Sequence, residues 1–343
     1  MLEINEKLRD LPSEIWSNVF LFLSIKDKRN VRLTCSVWYD ACNIIQIRQY
    51  EKMTIKAQLM GSEVIFETLL KSKCKYFNIK FNDAQFSKQW ASFWKVCGPR
   101  IHILKLVKCK FDKISLNEMQ RSCQNLEYLV IHKCNDTLRL ISNCKNRKII
   151  QKNLISLKLK NNSCLSDQCV IKLFELYPNI KMLTLHSQQI DYYRHSNQKE
   201  SSVTLQFSCI YEKIKLNAAN FQKLNFTLSK SSSLSDNWFR DIAVIPNLKL
   251  QQLILKNNCY ISENTFLFFF SKQVYLKKVK LIDCNNFSSH CLYELLENCP
   301  ELADLEVTLR YDRFSNFTEH IIVSNKDSIK RFKDSISQED HST

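Results

Sequence analysis

The residues with the greatest chemical potential in this 343-residue chain are fifteen cysteines and seven histidines. Thiolates and imidazoles are the usual donors of zinc sites, and the usual nucleophile and base of covalent catalysis. Either use requires close, paired spacing, and the chain does not supply it. No Cys-x-x-Cys occurs, and the closest pair, Cys164 and Cys169, has four residues between its members. The histidines stand at positions 102, 132, 186, 195, 290, 320 and 341, none at ligand or triad spacing with carboxylates or cysteines. There is no Gly-x-Ser-x-Gly, no His-Glu-x-x-His and no kinase signature. The only two glycines, Gly61 and Gly98, stand alone, so neither a dinucleotide loop nor a P-loop can be built. The expectation is a protein with no catalytic residue, metal or cofactor of its own. Its cysteines read as free thiols that fill core positions as small hydrophobes.

The charge is the next feature that could do work. Fifty Lys and Arg against 34 Asp and Glu leave a formal net charge of +16. Such a balance suits nucleic acid, an acidic partner or a phosphorylated one, but abundant lysine also simply solvates surfaces. The opening MLEINEKLRD is charged and lacks the apolar run of a signal peptide. Apolar runs such as Phe266 to Phe270 are far too short to span a bilayer. No membrane partner is expected, and the location expected is cytoplasmic and/or nuclear.

A repeated pattern positions these side chains. The motif apolar-x-x-apolar-x-apolar occurs at Tyr50-Met53-Ile55, Tyr76-Ile79-Phe81, Ile101-Leu104-Leu106, Leu126-Leu129-Ile131, Leu154-Leu157-Leu159 and Ile180-Leu183-Leu185. It returns at Phe221-Leu224-Phe226, Leu250-Leu253-Leu255, Leu276-Val279-Leu281 and Leu302-Leu305-Val307. Neighbouring regular copies are about 25–29 residues apart, a solenoid period. Cys109, Cys134, Asn162, Asn258 and Cys284 follow at a fixed offset, where a side chain can bond the turning backbone. Between the strands the period lengthens to that of helices. Ser166, Ser235, Ser262 and Ser288 read as caps, and Pro178, Pro246 and Pro300 as stops. Strand residues between the core leucines should stack across an open face. Lys105, His132, Lys158, Lys160, His186, Lys256 and Lys280 are the candidate binding residues there. Residues 187–220 break the rhythm and read as an irregular insertion holding at most one degenerate strand near 201–210. After about residue 310 a C-terminal cap and a mobile tail are expected, the tail from Ser335.

The N-terminal stretch has a different logic. Leu11-Pro12 suits a helix entry, Glu14 complements its dipole, and Ile15, Val19, Phe20 and Leu23 form an apolar stripe. Asp27 reads as the cap of a second short helix carrying Val31 and Leu33. Cys35 and Trp38 open a third, through Ala41, Ile44 and Ile45. In its order of residue types, Leu-Pro-x-Glu-Ile, Val-Phe-x-x-Leu, Asp and then Cys-x-x-Trp-Tyr, this stretch resembles the F-box, over residues 8–48. Lys28 departs from it, since the position after the aspartate is commonly apolar. Without that resemblance the stretch reads as a helical cap with Ile15, Phe20 and Trp38 turned inward. The repeats in turn resemble the cysteine-containing leucine-rich repeats of F-box proteins, over residues 49–310.

Together the resemblances imply an α/β chain: a trihelical F-box, then a leucine-rich-repeat horseshoe with an inner parallel sheet and outer helices. They imply a non-catalytic substrate receptor of a Skp–cullin–F-box (SCF-type) ubiquitin ligase. Leu11, Pro12, Glu14, Ile15, Val19, Leu23 and Trp38 would bind the Skp adaptor, and through it a cullin-RING ligase. The repeats would hold a target protein, acidic or phosphorylated, on the lysine-bearing face. Two other classes stay open: an interaction scaffold without ligase work, and a nucleic-acid-binding repeat protein. Aromatic residues interleaved with lysine would favour the last, and the open-face positions lack them.

Overall fold

The computed structural model describes residues 12–42, 52–56, 77–143, 150–162, 165–186, 207–228, 234–258, 260–310 and 318–339, with Glu67 and Leu70. Helix α1 (Ser13–Leu21) starts at Pro12, whose carbonyl accepts from the Ile15 and Trp16 amides at 3.0 and 3.3 Å. Proline has no N–H to leave unmet there. Helix α2 (Ile25–Val31) is capped by Ser24, whose hydroxyl oxygen accepts from the Asp27 amide at 3.2 Å. Asp27 is thus not the cap expected from the sequence. It sits in the first turn, accepts from the Ser24 hydroxyl at 2.6 Å and meets the helix dipole. Helix α3 (Ser36–Cys42) follows; Ile44 and Ile45, expected to continue it, lie outside the described residues.

These three helices close on their own small core of Trp16, Phe20, Ala41 and Cys42, with Leu23, Val31 and Trp38 packed against it. The Trp38 ring lies 5.0 Å from Trp16 and 5.9 Å from Phe20, and Trp16 and Phe20 stack at 5.6 Å. Lys28 is buried as well, its ammonium 3.4 Å from the Leu21 carbonyl. A cation at the carbonyl end of α1 is favourably placed, which explains a lysine where the F-box pattern is commonly apolar.

From residue 52 strand and helix alternate. The first half holds β1 (Lys52–Lys56), β2 (Asn78–Asn82), the short β3 (Gln85–Phe86), α4 (Trp90–Cys97), β4 (Ile103–Val107), the short β5 (Lys110–Phe111) and α5 (Lys113–Ser122). Then come β6 (Tyr128–His132), α6 (Asn135–Asn143), β7 (Ser156–Lys160), α7 (Asp167–Leu176), β8 (Met182–His186) and α8 (Ser208–Leu216). The second half holds β9 (Lys223–Thr227), α9 (Asp236–Ala243), β10 (Gln252–Lys256), α10 (Glu263–Lys272), β11 (Lys278–Ile282) and α11 (Ser289–Asn298). It closes with β12 (Asp304–Arg310), β13 (Thr318–Ser324) and α12 (Lys326–Glu339).

Among the described residues, all the strands except β3 and β5 join one 11-stranded sheet, in chain order. Each pairing is parallel until β13, which returns antiparallel on β12. Parallel neighbours need a crossover, and the helices supply it. In β4, Leu104 and Leu106 are buried while Ile103, Lys105 and Val107 stay partly exposed. The same alternation holds in β6, β9 and β11. The buried set shares one core with helix residues such as Phe93, Leu116, Leu173 and Phe266, so the helices cover one face and leave the other open. Ser166, Ser235 and Ser288 cap α7, α9 and α11 as expected, and Asp112 caps α5 by accepting from the Ser115 amide.

At the strand exits Asp83, Lys108, Lys133, Asn161, Asn257 and Asp283 all have φ between 51° and 59°. Each stands immediately before Ala84, Cys109, Cys134, Asn162, Asn258 or Cys284. A left-handed turn made without glycine costs about 1 kcal/mol or more per residue, so it must be held. The thiols of Cys109, Cys134 and Cys284 donate to carbonyls of the preceding strand, those of Phe81, Leu106 and Leu255, at 3.6–3.8 Å. These cysteines are therefore hydrogen-bonding side chains as well as the small hydrophobes anticipated.

Two expectations change. Residues 187–206 lie outside the described residues, but Ser208–Leu216 is an ordinary helix of the series, so the irregular stretch does not extend to 220. The end of the suggested strand, 208–210, is helical. The C-terminal cap is β13 with α12, and α12 reaches Glu339, so Ser335 does not begin a tail.

Candidate functional site

The first candidate surface is the outer side of α1. Ile15 and Val19 are 45% and 47% exposed, and Phe22, just past the helix, is 91% exposed. Positions 15, 19 and 22 share one side of a helix, whereas Trp16, Phe20 and Leu23 lie about a quarter turn away. The sequence had merged these two stripes into one. Phe20 and Leu23 in fact point into the small core, and Ile15, counted inward if the stretch were only a cap, points out. Trp38 and Leu23 belong to the support of the surface rather than its face. Pro12 is exposed at the helix entry and Glu14 is in the first turn, while Leu11 lies outside the described residues. Sequence reasoning missed Phe22 and Leu33, the latter 86% exposed. The i, i+4, i+7 spacing from Ile15 would have found Phe22.

The second surface is the open face of the sheet, where register stacks side chains in rows. One row runs Lys80, Lys105, Val130, Lys158, Thr184, Asn225, Ile254, Lys280, Glu306. The next runs Val107, His132, Lys160, His186, Thr227, Lys256, Ile282. A third holds Tyr128, Ser156, Met182, Lys223, Gln252, Lys278 and Asp304. Every candidate lysine and histidine lies on this face. Lys223 was missed because it lies in the third row, one position before the first core residue of each strand, which the sequence reading did not consider.

The rows are electrostatically divided. On β11 and β12, Lys278 pairs with Asp304 and Lys280 with Glu306, whose other oxygen is 3.7 Å from His320 Nε2. The Lys280 hydrogen bond holds the Glu306 carboxyl below its ordinary range, and Glu306 raises the Lys280 ammonium. Lys280 is thus already satisfied within the chain. On β6 to β10, among the described residues, no carboxylate pairs with Lys158, Lys160, Lys223 or Lys256. Burial, with Lys160 alongside, depresses the Lys158 ammonium; burial, with Lys158 and Lys278, depresses that of Lys223.

No group of three or more His, Cys, Asp and Glu among the described residues is arranged to hold a metal ion. No helix among them is long and apolar enough to cross a membrane.

Residues 8–48 match the F-box-like family. No curated protein matches the chain significantly. Modules of that family are typically adaptors, and the match suggests protein interaction through a Skp-type adaptor.

Proposed function

We propose that the chain is the substrate-recognition subunit of an SCF-type ubiquitin ligase, with the three-helix module on the Skp adaptor and the sheet holding a target protein. The observation that carries this reading is the outward stripe of Ile15, Val19 and Phe22 on a segment that matches the F-box-like family. A small three-helix module with its own core leaves that stripe uncovered, and clustered exposed apolar side chains suit a protein partner. The following strand–helix units are proposed to be leucine-rich repeats forming a horseshoe over residues 49–310. Their period, parallel register and turn-bonding Cys and Asn support this. The chain would contribute no reactive group. It would raise the effective concentration of the target near the ubiquitin-carrying enzyme, in the cytoplasm or nucleus.

The test is co-purification of adaptor and cullin with the intact chain and with a chain lacking residues 1–48. Recovery of both by the first and neither by the second is expected. Equal recovery by both would leave an interaction scaffold in place of a ligase subunit. The open face gives nucleic acid little support, since its three rows hold one Phe, Tyr or Trp ring, Tyr128, from β4 to β12.

A further inference from the structure

We infer that the row His132–Lys160–His186 is a binding site for a phosphoryl group on a protein segment laid across the sheet, and that filling it takes up protons. The inference rests on the open face being the target-binding surface, and it specifies what that surface reads.

The three residues are register partners on β6, β7 and β8. Adjacent strands lie about 4.8 Å apart, so the three side chains converge within roughly 10 Å. Lys158 stands two residues before Lys160 on the same strand and face, with Lys256 and Lys223 beyond β8. The β11–β12 end of the sheet shows what this lattice does with anions. Where the neighbouring strand carries Asp304 and Glu306, the lysines close onto them. On β7, β9 and β10 the corresponding lysines have no paired carboxylate among the described residues, which leaves them open to negative charge carried by a partner. A phosphoryl dianion, with three acceptor oxygens, meets several N–H donors at once better than a single carboxylate does.

The histidines add the proton link. His132 faces Lys160 on β7, with Lys133 beside it on its own chain and His186 and Lys80 further off. The nearby Lys108 is offset by Asp83 at 4.0 Å. His186 faces Lys160 on β7, Thr227 on β9 and Lys256 on β10. Burial first, and these cations second, hold both imidazoles below their usual range, so the empty site favours neutral rings. A dianion reverses the cationic contribution and raises both. Affinity should therefore grow as pH falls through the bound-state values and level off below the free-state ones. Asn161 fits this switch: its side-chain amide lies 3.4 Å from His132 Nε2, and its Oδ1 has no partner among the described residues. A half-turn of that amide presents Oδ1 to a newly protonated Nε2.

The experiment uses the full chain and calorimetry in buffers of different protonation heat. Inorganic sulfate is the first probe, because it stays a dianion while the histidines titrate. Net proton uptake is expected, with binding roughly tenfold tighter near pH 6 than near pH 8. His132→Gln with His186→Gln should bind with an affinity that no longer changes with pH, and Lys158→Gln with Lys160→Gln should not bind. Absence of proton uptake, or an unaltered pH profile in the histidine variant, overturns the inference. At one fixed pH, a phosphoserine peptide should bind more tightly than its unphosphorylated form, inorganic phosphate or an oligouridylate. Tighter binding of the RNA would overturn the protein-borne source. Recovery of the adaptor by every variant keeps this result separate from the fate of the three-helix module.

Discussion

The backbone amide of Cys134 donates to Oδ1 of Asn162 at 2.9 Å, joining equivalent turns of adjacent strand–helix units. The Asn162 side-chain amide returns the bond to the Ile131 carbonyl at 3.0 Å, and one unit earlier the Cys109 amide meets Cys134 Sγ at 3.2 Å. These side chains link left-handed turns at Lys108, Lys133 and Asn161. Asn162→Ala strands a buried amide and a buried carbonyl, so it should cost about 2 kcal/mol or more. Asn162→Cys keeps an acceptor and should cost less. Urea unfolding of the three proteins checks the order; an unmoved midpoint for the alanine variant would show that the bonds do not hold the turns.

Thiol chemistry gives a second expectation. Burial pushes Cys97 up to about 11, and Cys209 and Cys299 up to about 12. No disulfide occurs among the described residues, whose eleven cysteines are all thiols. Near pH 8 the thiolate fraction of Cys97 is on the order of a thousandth, so alkylation should run at least about a hundredfold slower than for an exposed thiol. Mass analysis of native protein alkylated without reductant should find these three unlabelled until denaturant is added. Rapid native labelling would contradict the burial of Cys97 and Cys299 and the half-buried, Asp167-bonded placement of Cys209, and a reproducible disulfide would contradict their thiol state.

Much of the architecture was legible because two periods were clean. Leu104 and Leu106, repeated as Leu129 and Ile131 and onward, mark buried strand positions with a period of two, and Ser166 or Ser288 mark helix starts by cap chemistry. The orientation of α1 was less legible. Ile15 and Val19 adjoin Trp16 and Phe20 on the helix surface, and composition cannot say which apolar stripe a tertiary core will claim. The quenching of Lys280 by Glu306 could have been read from register, since each stands between the two core residues of its strand, Val279-Leu281 and Leu305-Val307. The structure adds that the two side chains close on one another, and so sets Lys280 apart from Lys158.

That contrast has a measurable consequence. Lys280 loses a partner when mutated, while Lys158 sheds an ammonium that burial and Lys160 disfavour. Lys280→Met should destabilise by roughly 0.5–1 kcal/mol, the pair being only partly buried, and Lys158→Met should be neutral or slightly stabilising. The Glu306 carboxyl is depressed when folded, so its contribution is present above the ordinary glutamate range and lost as pH falls through the folded value. The deficit of Lys280→Met relative to wild type should therefore shrink in acid. Melting temperatures across that range check it, and a deficit that does not change with pH would assign the loss to packing.

The last expectation separates support from contact in the three-helix module. Trp38 touches both Trp16 and Phe20, so Trp38→Ala should cost about 3–5 kcal/mol and unfold a module of this size. Val19 and Phe22 are exposed and belong to no core, so Val19→Ala with Phe22→Ala should leave the helices intact. If these side chains anchor the adaptor, each truncation costs about 2 kcal/mol and the pair weakens binding well over tenfold. Circular dichroism and near-ultraviolet tryptophan signals report the fold, and titration with purified adaptor reports the contact. The reading requires opposite signatures: lost structure for Trp38→Ala, and native structure with lost binding for the double variant. A double variant that binds as well as wild type would move the adaptor contact to another face of the module, with Leu33, exposed after α2, the next side chain to truncate.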